Sequence, residues 1–238
     1  RNYLGCFIAL GISVFLLKLL DWKNISLGYK VVCPPIMMAA VILLVKTDSA
    51  TGILTAAVLA GVCLVMAAWL RWGKHLKRVH YYLLLGVFLA ALTLILFKLD
   101  WIFGLLGRNT SLTGRIPMWR YLLEHVIQER TVLGYGYGVV WSLQGFREGL
   151  RDILGWAYPV MIGDNGFVDI SIHLGFLGLG ILVGLIVLGF VRAVGHFLKM
   201  RTIASAFPVV LLVFTLVANI ALSLILESES FVWAMVIA

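Results

Sequence analysis

Hydrophobic residues run in long unbroken blocks along this chain, without the alternation of a half-buried strand. The blocks cover residues 3–20, 31–46, 51–70, 81–98, 166–190 and 206–226, and a further one runs from Phe231 to Ala238. About 20 apolar residues carry a helix across a bilayer. The pattern therefore predicts an all-α, polytopic transmembrane bundle of about six or seven spans. Block 31–46 is short and holds Cys33-Pro34-Pro35. A kink there, or a late start, is expected, because proline lacks the N–H that a helix uses. An outer-membrane barrel would alternate apolar and polar positions, and no such pattern is present. Block 3–20 is too long for a signal peptide and has no cleavage pattern.

Composition agrees with the blocks. The chain has 238 residues, of which 62% are hydrophobic and only 13% charged, with a mean hydropathy of +1.04. A soluble domain carries roughly 25% charged residues, so a soluble globular domain and a disordered chain are both excluded. The net charge of +8 reads as topology once the charges are placed. Arg71, Lys74, Lys77 and Arg78 crowd one inter-block segment, Arg192, Lys199 and Arg201 another, and Lys23 and Lys30 flank Asp21 in a third. Single crossings put these three segments on one side, which the positive-inside rule makes cytoplasmic. Asp48, Glu227 and Glu229 fall opposite. A nucleic-acid partner is not expected. Cys6, Cys33 and Cys63 lie in apolar blocks without ligand spacing and read as packing residues. The chain opens on Arg1, not Met, so it is expected to be a C-terminal piece of a longer protein.

The domain plan that follows is four spans in 1–98, an extracytoplasmic functional loop in 99–165, and C-terminal spans in 166–238. Loops of such length are usually functional. This one holds Arg108, Arg115, Arg120, Arg130, Arg147 and Arg151 but no Lys, together with Asp100, Glu124, Glu129, Glu148, Asp152 and Asp164. A guanidinium pairs two phosphate oxygens in one plane and keeps its proton, which suits an anionic phosphate at a membrane surface. Pairing with the local acids is the plainer alternative. Within the loop, 116–130 is amphipathic. Met118, Leu122, Leu123, Val126 and Ile127 fall on one side and Arg120, Glu124 and Gln128 on another, as in an interfacial helix with Pro117 in its first turn. Arg120 and Glu124, four apart, could also form an ordinary surface pair.

Gly134-Tyr135-Gly136-Tyr137-Gly138 gives a backbone that can bend tightly and approach a ligand closely. Tyr135, Tyr137, Trp141 and Trp156 suit sugar stacking or interfacial anchoring equally well. Asp164-Asn165 opens the next block, where an N-cap is the ordinary role for Asp164. Asp169 and His173, four residues apart inside that block, are ionisable groups at an expensive depth. They are the one feature favouring a transporter or flippase, but no internal repeat accompanies them. A scaffold subunit would not explain the Arg-rich loop. Gly180 and Gly184 read as helix packing.

Thr113-Gly114-Arg115 with Trp119, then Leu133-Gly134-Tyr135-Gly136, then Asn165-Gly166-Phe167, then Leu174-Gly175-Phe176-Leu177-Gly178-Leu179 form an ordered set. Across about 113–184 it resembles the O-antigen ligase and polysaccharide polymerase family of bacterial inner-membrane proteins. The resemblance implies a multi-pass glycosyltransferase acting at the periplasmic face without cofactor or metal. Its donor would be an undecaprenyl-diphosphate-linked glycan, and its acceptor a glycan or lipid A-core. Other polysaccharide-assembly proteins could be partners beside the lipid bilayer. The family's outer-loop arginine falls on Arg115, and its His-Asn pair on Asp164-Asn165. That departure favours a chain polymerase over a ligase. In the implied chemistry Arg115, with Arg120 or Arg108, steadies the diphosphate and Asp164 is the acceptor base. Trp119, Tyr135, Tyr137, Asn165 and Glu227 are expected substrate contacts.

Overall fold

The computed structural model describes residues 1–72, 115–155 and 163–225, except the side chains of Ile153 and Leu154. The expected spans at 81–98 and from Phe231 lie outside the described residues, as do Arg108 and Glu227. Every regular element among the described residues is helical.

Three helices come first: α1 (Asn2–Leu20), α2 (Leu27–Lys46) and α3 (Ala50–Trp72). Each is apolar and long enough to cross a membrane. α1 and α3 run parallel, with α2 as the return. Ser49 Oγ donates to Asn2 Oδ1 at 3.1 Å at one end, and Cys63 Sγ meets the Ser13 carbonyl at 3.8 Å further along. A Cβ on Gly52 would stand 2.7 Å from the Gly5 backbone, so two glycines permit this close parallel crossing. α2 starts earlier than its apolar block and carries Pro34 and Pro35 inside it without ending.

Four short elements follow: α4 (Arg115–Tyr121), a π-helical turn (Leu122–Ile127), α5 (Val139–Ser142) and α6 (Gln144–Leu154). The amphipathic face expected over 116–130 is real. Met118, Leu122, Val126 and Ile127 are buried, while Arg120, Glu124 and Gln128 are exposed. Leu123 is the exception and turns outward, because a π turn holds more residues than an α turn and shifts the phase. Val140, Trp141, Leu150 and Ile172 complete this small core.

α7 (Gly166–Met200) is the longest helix, and a 3-10 turn (Ala204–Ala206) leads from it into α8 (Phe207–Asn219). α8 packs against α1 and α3 around Cys6, Leu10, Leu59, Cys63, Val210 and Phe214. The block 166–190 lies in α7, which is long and apolar enough to cross a membrane as expected, but α7 is broken at Gly175, with φ 65° and ψ −169°. One expectation is corrected here. The block 206–226 is helical only to Asn219. At ~1.5 Å per residue the 13 residues of α8 fall short of the roughly 30 Å hydrocarbon core. Asn219 ends it by turning its own side chain into the backbone. Nδ2 donates to the Thr215 carbonyl at 2.7 Å, and Oδ1 accepts from Ile225 N at 3.0 Å.

Candidate functional site

The break in α7 is filled by the glycine-tyrosine segment. In an uninterrupted helix, Phe176 N and Leu177 N would donate to the carbonyls of Ile172 and His173. Here they donate to Thr131 O at 2.8 Å and Val132 O at 3.1 Å. The two abandoned carbonyls accept from Tyr135 N and Gly136 N, both at 2.9 Å. A loop thus takes the place of one helical turn, and the backbone groups on both sides stay satisfied, as a buried or membrane-level chain requires. The exchange demands glycine. Gly134 and Gly175 both have positive φ, a Cβ on Gly134 would lie 2.6 Å from Gly175 N, and one on Gly175 would meet the Val132 carbonyl.

At the start of α7 the chain turns through Gly163, Asp164 and Asn165. Asn165 is the N-cap: its Oδ1 accepts from Phe167 N at 3.0 Å and Val168 N at 3.2 Å. The ordinary role expected for Asp164 therefore belongs to its neighbour. Asp164 sits in left-handed backbone, φ 51°, and turns to α4. There Arg115 Nε and Nη2 donate to Asp164 Oδ2 at 3.1 and 3.0 Å. One turn along α4, Trp119 Nε1 donates to the Gly163 carbonyl at 2.7 Å. Residues four apart share a helix face, so Arg115 and Trp119 grip consecutive residues of the turn. The Arg115 side chain is 10% exposed and that of Asp164 31%, which leaves Asp164 as the more accessible partner.

Beneath the turn lies Asp169, 1% exposed. Both its oxygens accept from Gly163 N, at 2.9 and 3.1 Å, and Ser223 Oγ donates to Oδ2. Gly166 N donates to the Leu222 carbonyl at 3.0 Å. The non-helical end of α8 is thereby stitched to the start of α7. One turn deeper, Trp141 Nε1 donates to His173 Nε2 at 3.2 Å. The neutral ring then carries its proton on Nδ1, which is buried and has no hydrogen-bond partner among the described residues. Tyr137 packs against this ring in a T-shaped arrangement, centroids 5.3 Å apart.

Of the residues singled out in the sequence, the fold brings together Arg115, Asp164, Trp119 and Asn165. Tyr137 lies in the glycine-tyrosine turn and packs against His173, deeper along α7. Tyr135 faces elsewhere: its hydroxyl donates to Glu129 Oε2 at 2.6 Å, and the Arg130 guanidinium lies over its ring at 5.2 Å. Burial first, and then the Glu129 carboxylate, push the Tyr135 phenol up to about 12. Arg120 is exposed on α4. Sequence reasoning noticed Asp169 and His173 as costly groups but assigned them no partners, and it did not single out Ser223. The described residues hold no group of three or more His, Cys, Asp or Glu able to bind a metal ion. Chemically the turn offers a planar cation suited to phosphate and a carboxylate able to take a proton.

The family model described as O-antigen ligase matches residues 35–183, which run from within α2 to beyond the break in α7 and include the Arg115–Asp164 pair. Exopolysaccharide production protein ExoQ of Rhizobium meliloti (strain 1021) is 29% identical over 201 residues, 80% of this chain. The chain covers 44% of that relative's length. No solved structure matches significantly.

Proposed function

The chain belongs to the O-antigen ligase family, and from that premise we propose that it lengthens a polysaccharide at the outer face of a bacterial inner membrane. The donor is an undecaprenyl-diphosphate-linked glycan and the acceptor a second glycan. The acceptor hydroxyl attacks the anomeric carbon while the bond to the diphosphate oxygen breaks, and displacement from the opposite side inverts that carbon. Arg115 stabilises the charge that grows on the departing diphosphate. Asp164 takes the hydroxyl proton. Such a leaving group needs no metal to depart when a fixed guanidinium meets it.

One observation carries this reading: the almost fully buried Arg115, held at a turn whose other charged group is a partly exposed carboxylate. The printed name of the R. meliloti relative, an exopolysaccharide production protein, supports a polymerase over a ligase. The test is complementation by the full-length parent in a strain lacking its own polymerase, with surface polysaccharide resolved on a gel. Wild type restores long-chain ladders and Arg115→Ala abolishes them, since one lost contact of this kind costs about 10²–10³-fold in rate. Normal ladders from Arg115→Ala would refute the assignment. Capped single units on lipid A would show a ligase.

A further inference from the structure

Arg115 and Asp164 are assigned opposite tasks in transfer, yet they occupy each other. Both guanidinium N–H groups on the Nε/Nη2 edge point at Asp164 Oδ2. That edge is the planar fork a phosphate would take. The oxygen it covers is one the acceptor hydroxyl would need. Asp164 Oδ1 has no hydrogen-bond partner among the described residues. The turn itself does not depend on the ion pair. Asp169 holds Gly163 N, Trp119 holds Gly163 O, and Asn165 caps α7. The backbone on both sides of Asp164 is thus fixed by groups other than Arg115.

We propose that the Arg115–Asp164 pair is a resting contact which the donor's diphosphate exchanges. This inference rests on the function proposed above and adds an order to it. A phosphate displaces the carboxylate from the guanidinium. Asp164, still held by the Asp169, Trp119 and Asn165 anchors on its two neighbours, is released as the acceptor base. The hydroxyl proton passes to Asp164, the hydroxyl oxygen bonds the anomeric carbon, and the electron pair of the broken carbon–oxygen bond stays on the diphosphate at Arg115. Without a donor Oδ2 is held by Arg115 and only Oδ1 is open, so full release of the base waits for the diphosphate. Asp169 is a positioning residue in this scheme, acting through Gly163.

The exchange predicts opposite signs for binding and turnover in one variant, which a merely structural ion pair does not. Purified full-length parent in nanodiscs is titrated with undecaprenyl diphosphate and, separately, with inorganic pyrophosphate. Single-turnover transfer is measured in parallel, with a thermal melt as the check on folding. Asp164→Asn binds both probes several-fold tighter than wild type, because the competing carboxylate is gone, and transfers at least about 100-fold more slowly. If the Asn amide itself occupies Arg115, Asp164→Ala shows the tighter binding instead. Arg115→Ala loses at least about tenfold in affinity for both probes. Tighter binding of the lipid alone would assign the site to the lipid tail and overturn the exchange. If Asp164→Asn and Asp164→Ala melt like wild type but bind no tighter, the exchange is wrong and the proposed function stands. If Arg115→Ala binds both probes like wild type, Arg115 is not the diphosphate site and both fall.

Discussion

Two regions of this protein solve the same problem by different means. The packing of α1, α3 and α8 is an apolar contact surface of Leu, Val, Cys and Phe side chains, with Phe7 and Phe214 rings 6.2 Å apart. Its helices satisfy their own backbones, so side-chain shape is all that is left to specify. The end of the molecule formed by 115–155, 163–177 and 220–225 breaks its helices instead. It satisfies the freed groups through a loop, an asparagine cap and a buried carboxylate. Away from the Gly5–Gly52 crossing, shape can be traded for similar shape in the first region. In the second, donors and acceptors are matched between distant segments, and an added atom at Gly134 or Gly175 displaces a backbone.

The difference can be broken deliberately. Gly175→Ala should have the largest effect: a Cβ meets the Val132 carbonyl at a positive φ, costing about 3 kcal/mol or more. The variant should fail to accumulate in membranes, measured by immunoblot. Gly180→Ala, where a Cβ meets nothing within 4 Å, should accumulate as wild type. Asp169→Ala comes next. It strands Gly163 N and Ser223 Oγ, at about 1–3 kcal/mol for each buried group left unpaired, and a lower melting temperature with lost transfer activity checks it. Phe214→Ala in the apolar region should cost about 2 kcal/mol, since lipid competes with protein for the same contacts, yet folded protein should transfer glycan at the normal rate.

Tyr135→Phe should be the mildest, about 0.5–1 kcal/mol for one exposed hydrogen bond to Glu129. Because the folded phenol is pushed up to about 12 from an ordinary value near 10, the sign is definite. The contribution is complete below pH about 10 and fades as pH rises toward 12. The difference between Tyr135→Phe and wild type should therefore be flat between pH 6 and 9 in thermal melts.

The straight helices were legible from run length alone: blocks 3–20, 31–46 and 51–70 mark α1, α2 and α3 within a few residues. The breaks were not. Gly175 and Gly180 look alike in sequence, and only the Val132 carbonyl, brought from more than forty residues away, makes one of them indispensable. Asn219 was hidden because an apolar block does not reveal where its helix stops. At the site, the residue types were readable as chemistry, and Arg115 with Asp164 was a pair the sequence could name. It could not show that they touch. Nor could it give the cap to Asn165 and not Asp164, which turns on a left-handed φ of 51°. Asp169 was visible as an expense, but the groups that repay it, Gly163 N and Ser223 Oγ, come from two other segments.

The four exchanged bonds at Gly175 also set where the chain can change length. Thr131, Val132, Tyr135 and Gly136 each meet a fixed position on α7. One residue inserted between Thr131 and Gly136 would move donors and acceptors out of step together. α5 and α6 make no such ladder with α7 among the described residues, so an insertion at Leu143 between them should leave the splice intact. Differences in length among relatives are expected there, and not between Thr131 and Gly136.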